Sequence, residues 1–232
     1  DGVRIRVCAI IAFLIRYSTV IENPLDKLGL TKVLETLARD KNLELSKKAV
    51  ATLGEYLFFV TTQAEGEDES ASYWKISEES LQTLLYIIEY SKDEIIKFYA
   101  IKAIENITAL TMVAKIYFAR DDSFLVKILE VFNNTKNSEL KMSAIYTISH
   151  LIRLQPSLLR SFIQMKSLQE IKKNLEQEDN VKTQQALLNC ILYGIYSDNR
   201  SFIKNDYFVN FCSYLISFLD ISTHILKLKI IL

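Results

Sequence analysis

The strongest constraint on this chain is a helical pattern that recurs along it. Residues 96–110, IKFYAIKAIENITAL, are its clearest copy. Ala100, Ala103, Ile104 and Ile107 fall at spacings of three and four, which puts them on one face of a helix. Alanine lets a second helix approach closely, and isoleucine fills the remaining gaps. Aligned copies start near Val3, Leu45, Leu140 and Val181, with another near Leu226. The four face positions are Val7, Ile10, Ile11 and Leu14 in the first copy and Ala49, Thr52, Leu53 and Tyr56 in the second. They are Ala144, Thr147, Ile148 and Leu151 in the copy at 140–154. The copy at 181–196 has its register set only to within one residue.

The intervals are about 41–45 residues, except one of about 51 that holds an acidic insertion. A period of that length, with two or three helices per unit, marks HEAT and armadillo repeats. The small–x–x–small–aliphatic pattern on the longest helix favours armadillo. One such unit cannot bury its apolar faces alone, so units stack, and the third helices line a groove. The expected fold is therefore an all-α solenoid, a right-handed superhelix of about five to six repeats. It forms a single fragment with repeats near 1–22, 23–63, 75–110, 111–155, 156–198 and 199–232, and an acidic loop at 64–74.

The segments between the copies agree with this. Five Gly and two Pro compare with roughly 16 and 12 at average usage, which favours long helices over turn-rich sheets. Shorter helices are expected at 31–39 with Val33, Leu34 and Leu37 inward, and at 77–90 with Ser77 as cap. Others are expected at 111–120, at 121–132 with Phe124, Leu125, Ile128 and Leu129 inward, at 156–164, at 167–176 and at 205–219. Asn23–Pro24 breaks the chain. Ser91 to Glu94 has capping-box spacing ahead of the best copy. The insertion AEGEDESAS is acidic and aperiodic, an exposed loop. Trp74, the single tryptophan, follows it and reads as the anchor of the loop's exit; a partner-binding hot spot is the functional alternative. The chain starts without Met and stops within a helical pattern, which reads as a piece of a longer polypeptide.

The sequence offers little chemistry. Lys plus Arg equals Asp plus Glu at 28 each, and the basic residues are dispersed, so nucleic acid is not an expected partner. No charge-free apolar run reaches about eighteen residues, so membrane insertion is not expected. Cys8, Cys190 and Cys212 sit in apolar helical runs with no zinc spacing. They read as buried reduced thiols of a cytoplasmic protein. His150 and His224 are far apart, without a nearby cysteine or paired carboxylate. Dinucleotide, P-loop, nucleophile-elbow and kinase motifs are absent. The expectation is a region without catalytic, cofactor or metal-binding residues.

What remains is the groove. Its candidate partner-binding residues are Lys48 and Glu55, Tyr99, Lys102 and Asn106, and Tyr146, His150 and Arg153. Glu55, Asn106 and His150 share one position in three copies. A nuclear-import receptor would repeat Asn there with a ladder of Trp, so a repeated peptide code is disfavoured and one particular protein partner favoured.

One stretch carries a resemblance. AVATLGEYLFFVTTQ at 49–63, then an acidic loop, then YWKIS at 73–77, resembles the C-terminal armadillo region of the Fused/unc-51-like kinase-four group of kinases and pseudokinases, the RUNKEL type. The matching residues are Leu53, Gly54, Glu55, Leu57, Phe58, Thr62, Gln63 and Trp74; Tyr56 stands where Leu is expected. The resemblance implies a long protein with an N-terminal kinase or pseudokinase domain, ATP belonging only to that domain. It implies a scaffold that organises Fused-type kinase partners, axonemal proteins or microtubule-associated proteins, placed at the cytoskeleton, cilium or axoneme. The alternative is a general armadillo adaptor for trafficking or peptide recognition, and a third reading is an enzyme or an enzyme-regulatory subunit, such as the helical regulator of a phosphatase or kinase.

Overall fold

A computed structural model of the chain describes residues 1–18, 25–64, 74–198, 200, 204 and 206–221. The acidic residues 65–73, the Asn23–Pro24 break, His224 and the copy near Leu226 lie outside the described residues. The fold is all-α and solenoid-like, with no strand among the described residues. Its helices are α1 (Gly2–Tyr17), α2 (Leu30–Ala38), α3 (Leu43–Ala64), α4 (Glu78–Tyr90), α5 (Glu94–Ala109) and α6 (Thr111–Phe118). They continue as α7 (Ser123–Asn134), α8 (Ser138–Ile152), α9 (Pro156–Gln164), α10 (Ser167–Gln177), α11 (Val181–Ser197) and α12 (Asp206–Ile221). A 3-10 turn, Leu25–Leu28, precedes α2. The chain divides into two compact units, Asp1–Ile116 and Tyr117–Leu232.

In the first unit α3 is the hub. It packs on α1, α2 and α5, and α4 joins α2 to α5. Leu45, Ala49, Val50 and Leu53 are wholly buried, as are Ala100, Ile101 and Ile104 on α5. The threonines among them do not orphan a hydroxyl. Thr52 Oγ1 lies 2.7 Å from the Lys48 carbonyl and 3.0 Å from the Cys8 carbonyl, so it bridges α3 to α1. Thr61 and Thr108 return their hydroxyls to the carbonyls of Leu57 and Ile104, the usual way a helix buries Thr without an unmet donor. Gly54 faces α5; a Cβ there would stand 3.0 Å from the Ala103 Cβ. Glu35 of α2 is buried and accepts from Ser77 Oγ at 3.2 Å and Ser80 Oγ at 2.6 Å. Ser77 also caps α4 by accepting from the Ser80 N–H.

In the second unit α8 packs on α7, α9 and α11, and α10 packs on α9, α11 and α12. Ala144, Ile145 and Ile148 are wholly buried, with Thr147 and Ser149 bonded to carbonyls one turn back. Phe132, Phe162 and Phe211 fill the core. Asn137 caps α8 and Asn180 caps α11 through their side-chain oxygens. Pro156 opens α9 at its first turn, where no N–H is required.

Five expectations need correction. On α1 the residues turned inward are Cys8 and Ile15, while Val7, Ile10 and Leu14 are exposed and Ile11 is half-buried. On α2, Val33 is exposed, although Leu34 is buried. The N-cap of α5 is Asp93, whose Oδ1 accepts from the Ile95 and Ile96 N–H groups; Ser91 Oγ accepts from the Asp93 N–H instead. Cys212 is half-buried, unlike Cys8 and Cys190. On α11 the buried residues Thr183, Ala186, Leu187, Cys190, Ile191 and Gly194 align with Leu140, Ser143, Ala144, Thr147, Ile148 and Leu151 of α8. That copy therefore begins two residues later than Val181.

Candidate functional site

The long helices α3, α5 and α8 each offer a half-buried stripe beside their buried face. On α3 it holds Lys48 and Glu55, and on α5 Tyr99, Lys102 and Asn106. All five are half-buried. α3 and α5 are adjacent, so the first unit brings these five to neighbouring helices. Tyr146, His150 and Arg153 occupy the matching stripe of α8 in the second unit, also half-buried.

Two charges on the first unit's stripe are paired, Glu55 and Lys102. Arg16 of α1 donates to the Glu55 carboxylate, and that hydrogen bond, with the charge behind it, pushes the guanidinium above its ordinary pKa. Lys102 Nζ lies 2.7 Å from Glu105 Oε1 one turn along. Such partly exposed pairs add about 0.3–0.5 kcal/mol each. Their effect is to hold the side chains in place. Phe98 lies against Tyr99 with ring centroids 5.6 Å apart.

The position of each residue in its copy adds members that the sequence reading missed. Phe13 and Arg16 of α1 stand where α3 carries Glu55 and Phe58, and Phe13, Arg16 and Phe58 are all exposed. With α11 in its corrected register, Asn189, Tyr193 and Tyr196 match Tyr146, His150 and Arg153. The Arg153 guanidinium lies over the Tyr193 ring, 5.6 Å from its centroid, a contact worth about 0.5–1 kcal/mol at an exposed site. Trp74 is half-buried and meets Phe59 of α3 edge-on, centroids 5.5 Å apart at 80°.

Among the described residues, no group of His, Cys, Asp or Glu is placed to hold a metal ion. Cys190 is driven up to about 12 by burial, with a Ser149 hydrogen bond acting weakly the other way. Burial raises Cys8 and Cys212 too. A thiol held protonated is a poor nucleophile. Among the described residues, no helix is long and apolar enough to cross a membrane.

Fold and stripe together define an all-helical repeat protein, not a catalytic kinase fold, and such an architecture suits protein binding. The comparisons with known proteins agree with that class. No family model matches. The chain is 26% identical over 226 residues to the serine/threonine-protein kinase RUNKEL of Arabidopsis thaliana, spanning 92% of this chain and 16% of that kinase. Among solved structures it resembles a crystal structure of an engineered protein, with a TM-score of 0.71 at 12% identity over 97% of this chain and 86% of that one. The first likeness makes a kinase-related region plausible; the second concerns the fold alone.

Proposed function

We propose that this chain is a non-catalytic scaffold that binds another protein along the stripes of its third helices. One observation carries the reading. The stripe of the first unit is chemically mixed, with Arg16, Glu55, Tyr99, Lys102 and Asn106 each seated on a rigid, tightly packed helix. Rigid anchors of Tyr and Arg type bind without a large ordering cost. A stripe that changes character from helix to helix suits one partner surface better than a repeated peptide. The likeness to RUNKEL supports placing the chain in the non-catalytic part of a kinase or pseudokinase of that type. The partners that this resemblance suggests are microtubule-associated or axonemal proteins or a Fused-type kinase.

The test is a paired pull-down from ciliated cells with the wild-type chain and a Tyr99→Ala/Lys102→Glu variant whose helicity matches wild type by circular dichroism. Tubulin-associated, axonemal or Fused-type proteins should come down with wild type and fall at least about tenfold with the variant, an effect of about 1.4 kcal/mol. Equal recovery by both would remove the stripe from the reading. Recovery of none of these partners by wild type would remove the cytoskeletal scaffold.

A further inference from the structure

The first helix, α1, is informative because it is apolar on two faces. One face, with Cys8 and Ile15, is buried against the first unit. The other carries Val3, Val7, Ile10, Leu14 and Tyr17, a heptad-like run over four turns. These side chains are 76%, 46%, 58%, 58% and 68% exposed. Their counterparts in the next copies are Leu45, Ala49, Thr52, Tyr56 and Phe59 on α3, and Ile96, Ala100, Ala103 and Ile107 on α5. None of those is more than 7% exposed. The same positions on α8, Leu140, Ala144, Thr147 and Leu151, are buried as well.

Two contacts show what those positions do. Thr52 of α3 reaches back to the Cys8 carbonyl of α1, and Ala103 of α5 sits against Gly54 of α3. Both belong to the column that contains Ile10 in α1. In α3 and α5, therefore, this column packs on the long helix of the copy before it. The α1 face continues an interface the unit already uses twice, at α1–α3 and α3–α5.

We infer that the exposed face of α1 is an inter-repeat face that receives the closing helices of a further repeat of this kind, lying N-terminal to residue 1 in the same polypeptide. The surface beside it fits a helix pair better than a lone helix. A groove of about 770 Å³ runs between α1 and α2, with Val3, Val7 and Ile11 on one side and Leu28, Val33 and Leu37 on the other. Leu28 and Val33 are 79% and 54% exposed. Ile10 is bulkier than Thr52 or Ala103, so the helix that meets it carries a small residue at the position held by Gly54 in α3. The inference stands apart from the proposed partner stripe and does not depend on it.

The experiment compares the 232-residue chain with the chain extended by the polypeptide that its reading frame encodes upstream. The frame should continue through at least one further unit of about 40 residues. In the extended chain, amide exchange of α1 should slow at least about tenfold. Ile10→Asp should lower Tm of the extended chain by about 5 °C or more and that of the 232-residue chain by less than about 1 °C. Ile15→Ala should lower Tm in both, which shows that α1 is packed in each. A reading frame that opens at Asp1 overturns the inference, as does an equal effect of Ile10→Asp in the two chains. A dimer of the 232-residue chain that Ile10→Asp dissolves would assign the face to a second copy.

Discussion

At the scale of single residues, α3 gives up a side chain where it meets α5. Gly54 lies in mid-helix, where it costs about 1 kcal/mol relative to Ala. The compensation is contact, because an added methyl would meet the Ala103 Cβ at 3.0 Å and neither group has a rotamer to yield. Gly54→Ala should therefore destabilise the chain by about 1–2 kcal/mol despite its better propensity. In an Ala103→Gly background the same change should be neutral or stabilising. Urea denaturation of the four chains of this cycle measures the coupling. Additive effects would show that α3 and α5 do not touch there.

At the scale of the element, the caps discriminate between the sequence reading and the structure. Asp93 accepts from two backbone N–H groups at the start of α5, at 2.8 and 3.2 Å, and Ser91 from one outside the helix. Asp93→Ala should cost about 1 kcal/mol and Ser91→Ala distinctly less. A larger loss for Ser91→Ala in urea melts would restore the capping box. The difference shows how far local sequence reaches. Ser91 and Asp93 are both good caps, and only the backbone path decides between them. α5, α7 and α8 were legible because their apolar residues occupy one face and polar ones the rest. α9 was legible because Pro156 and the apolar triplet Leu158, Leu159 and Phe162 leave little choice. α1 was not, because Val, Ile, Phe and Leu occupy nearly all its sides, and two stripes one residue apart are equally apolar. In α11, Gln184, Gln185 and Asn189 blur the pattern, and burial against α8 sets the register. The candidate stripe was legible where its helix was. Lys48, Glu55, Tyr99, Lys102 and Asn106 lie on well-read helices, whereas Tyr193 was hidden by the unsettled register of α11.

At the scale of the whole molecule, acidic and basic residues are equal in number at 28 each, and individual buried groups add their own pH dependence to stability. Cys190 is the clearest of these. It lies wholly buried on α11, and loss of water drives its pKa from 9.0 to about 12. The unfolded chain loses this proton near its ordinary value, and the folded chain holds it until about 12. Below pH 9 both states carry the proton and the thiol has no effect on the pH dependence. Between those limits the unfolded state binds fewer protons, so stability falls as pH rises. The slope approaches about 1.4 kcal/mol per pH unit for one group. Tyr214, driven up to about 12 mainly by burial and further by Glu176, acts with the same sign from 10.0 upward. Chemical denaturation between pH 8 and 11 should show this loss, and a Cys190→Ser chain should lose less over the same interval because its hydroxyl does not titrate. The two chains would differ little at pH 8, apart from a constant offset for the altered core atom. Parallel curves for the two chains across pH 9 to 11 would show that the Cys190 thiol ionises alike in the folded and unfolded states.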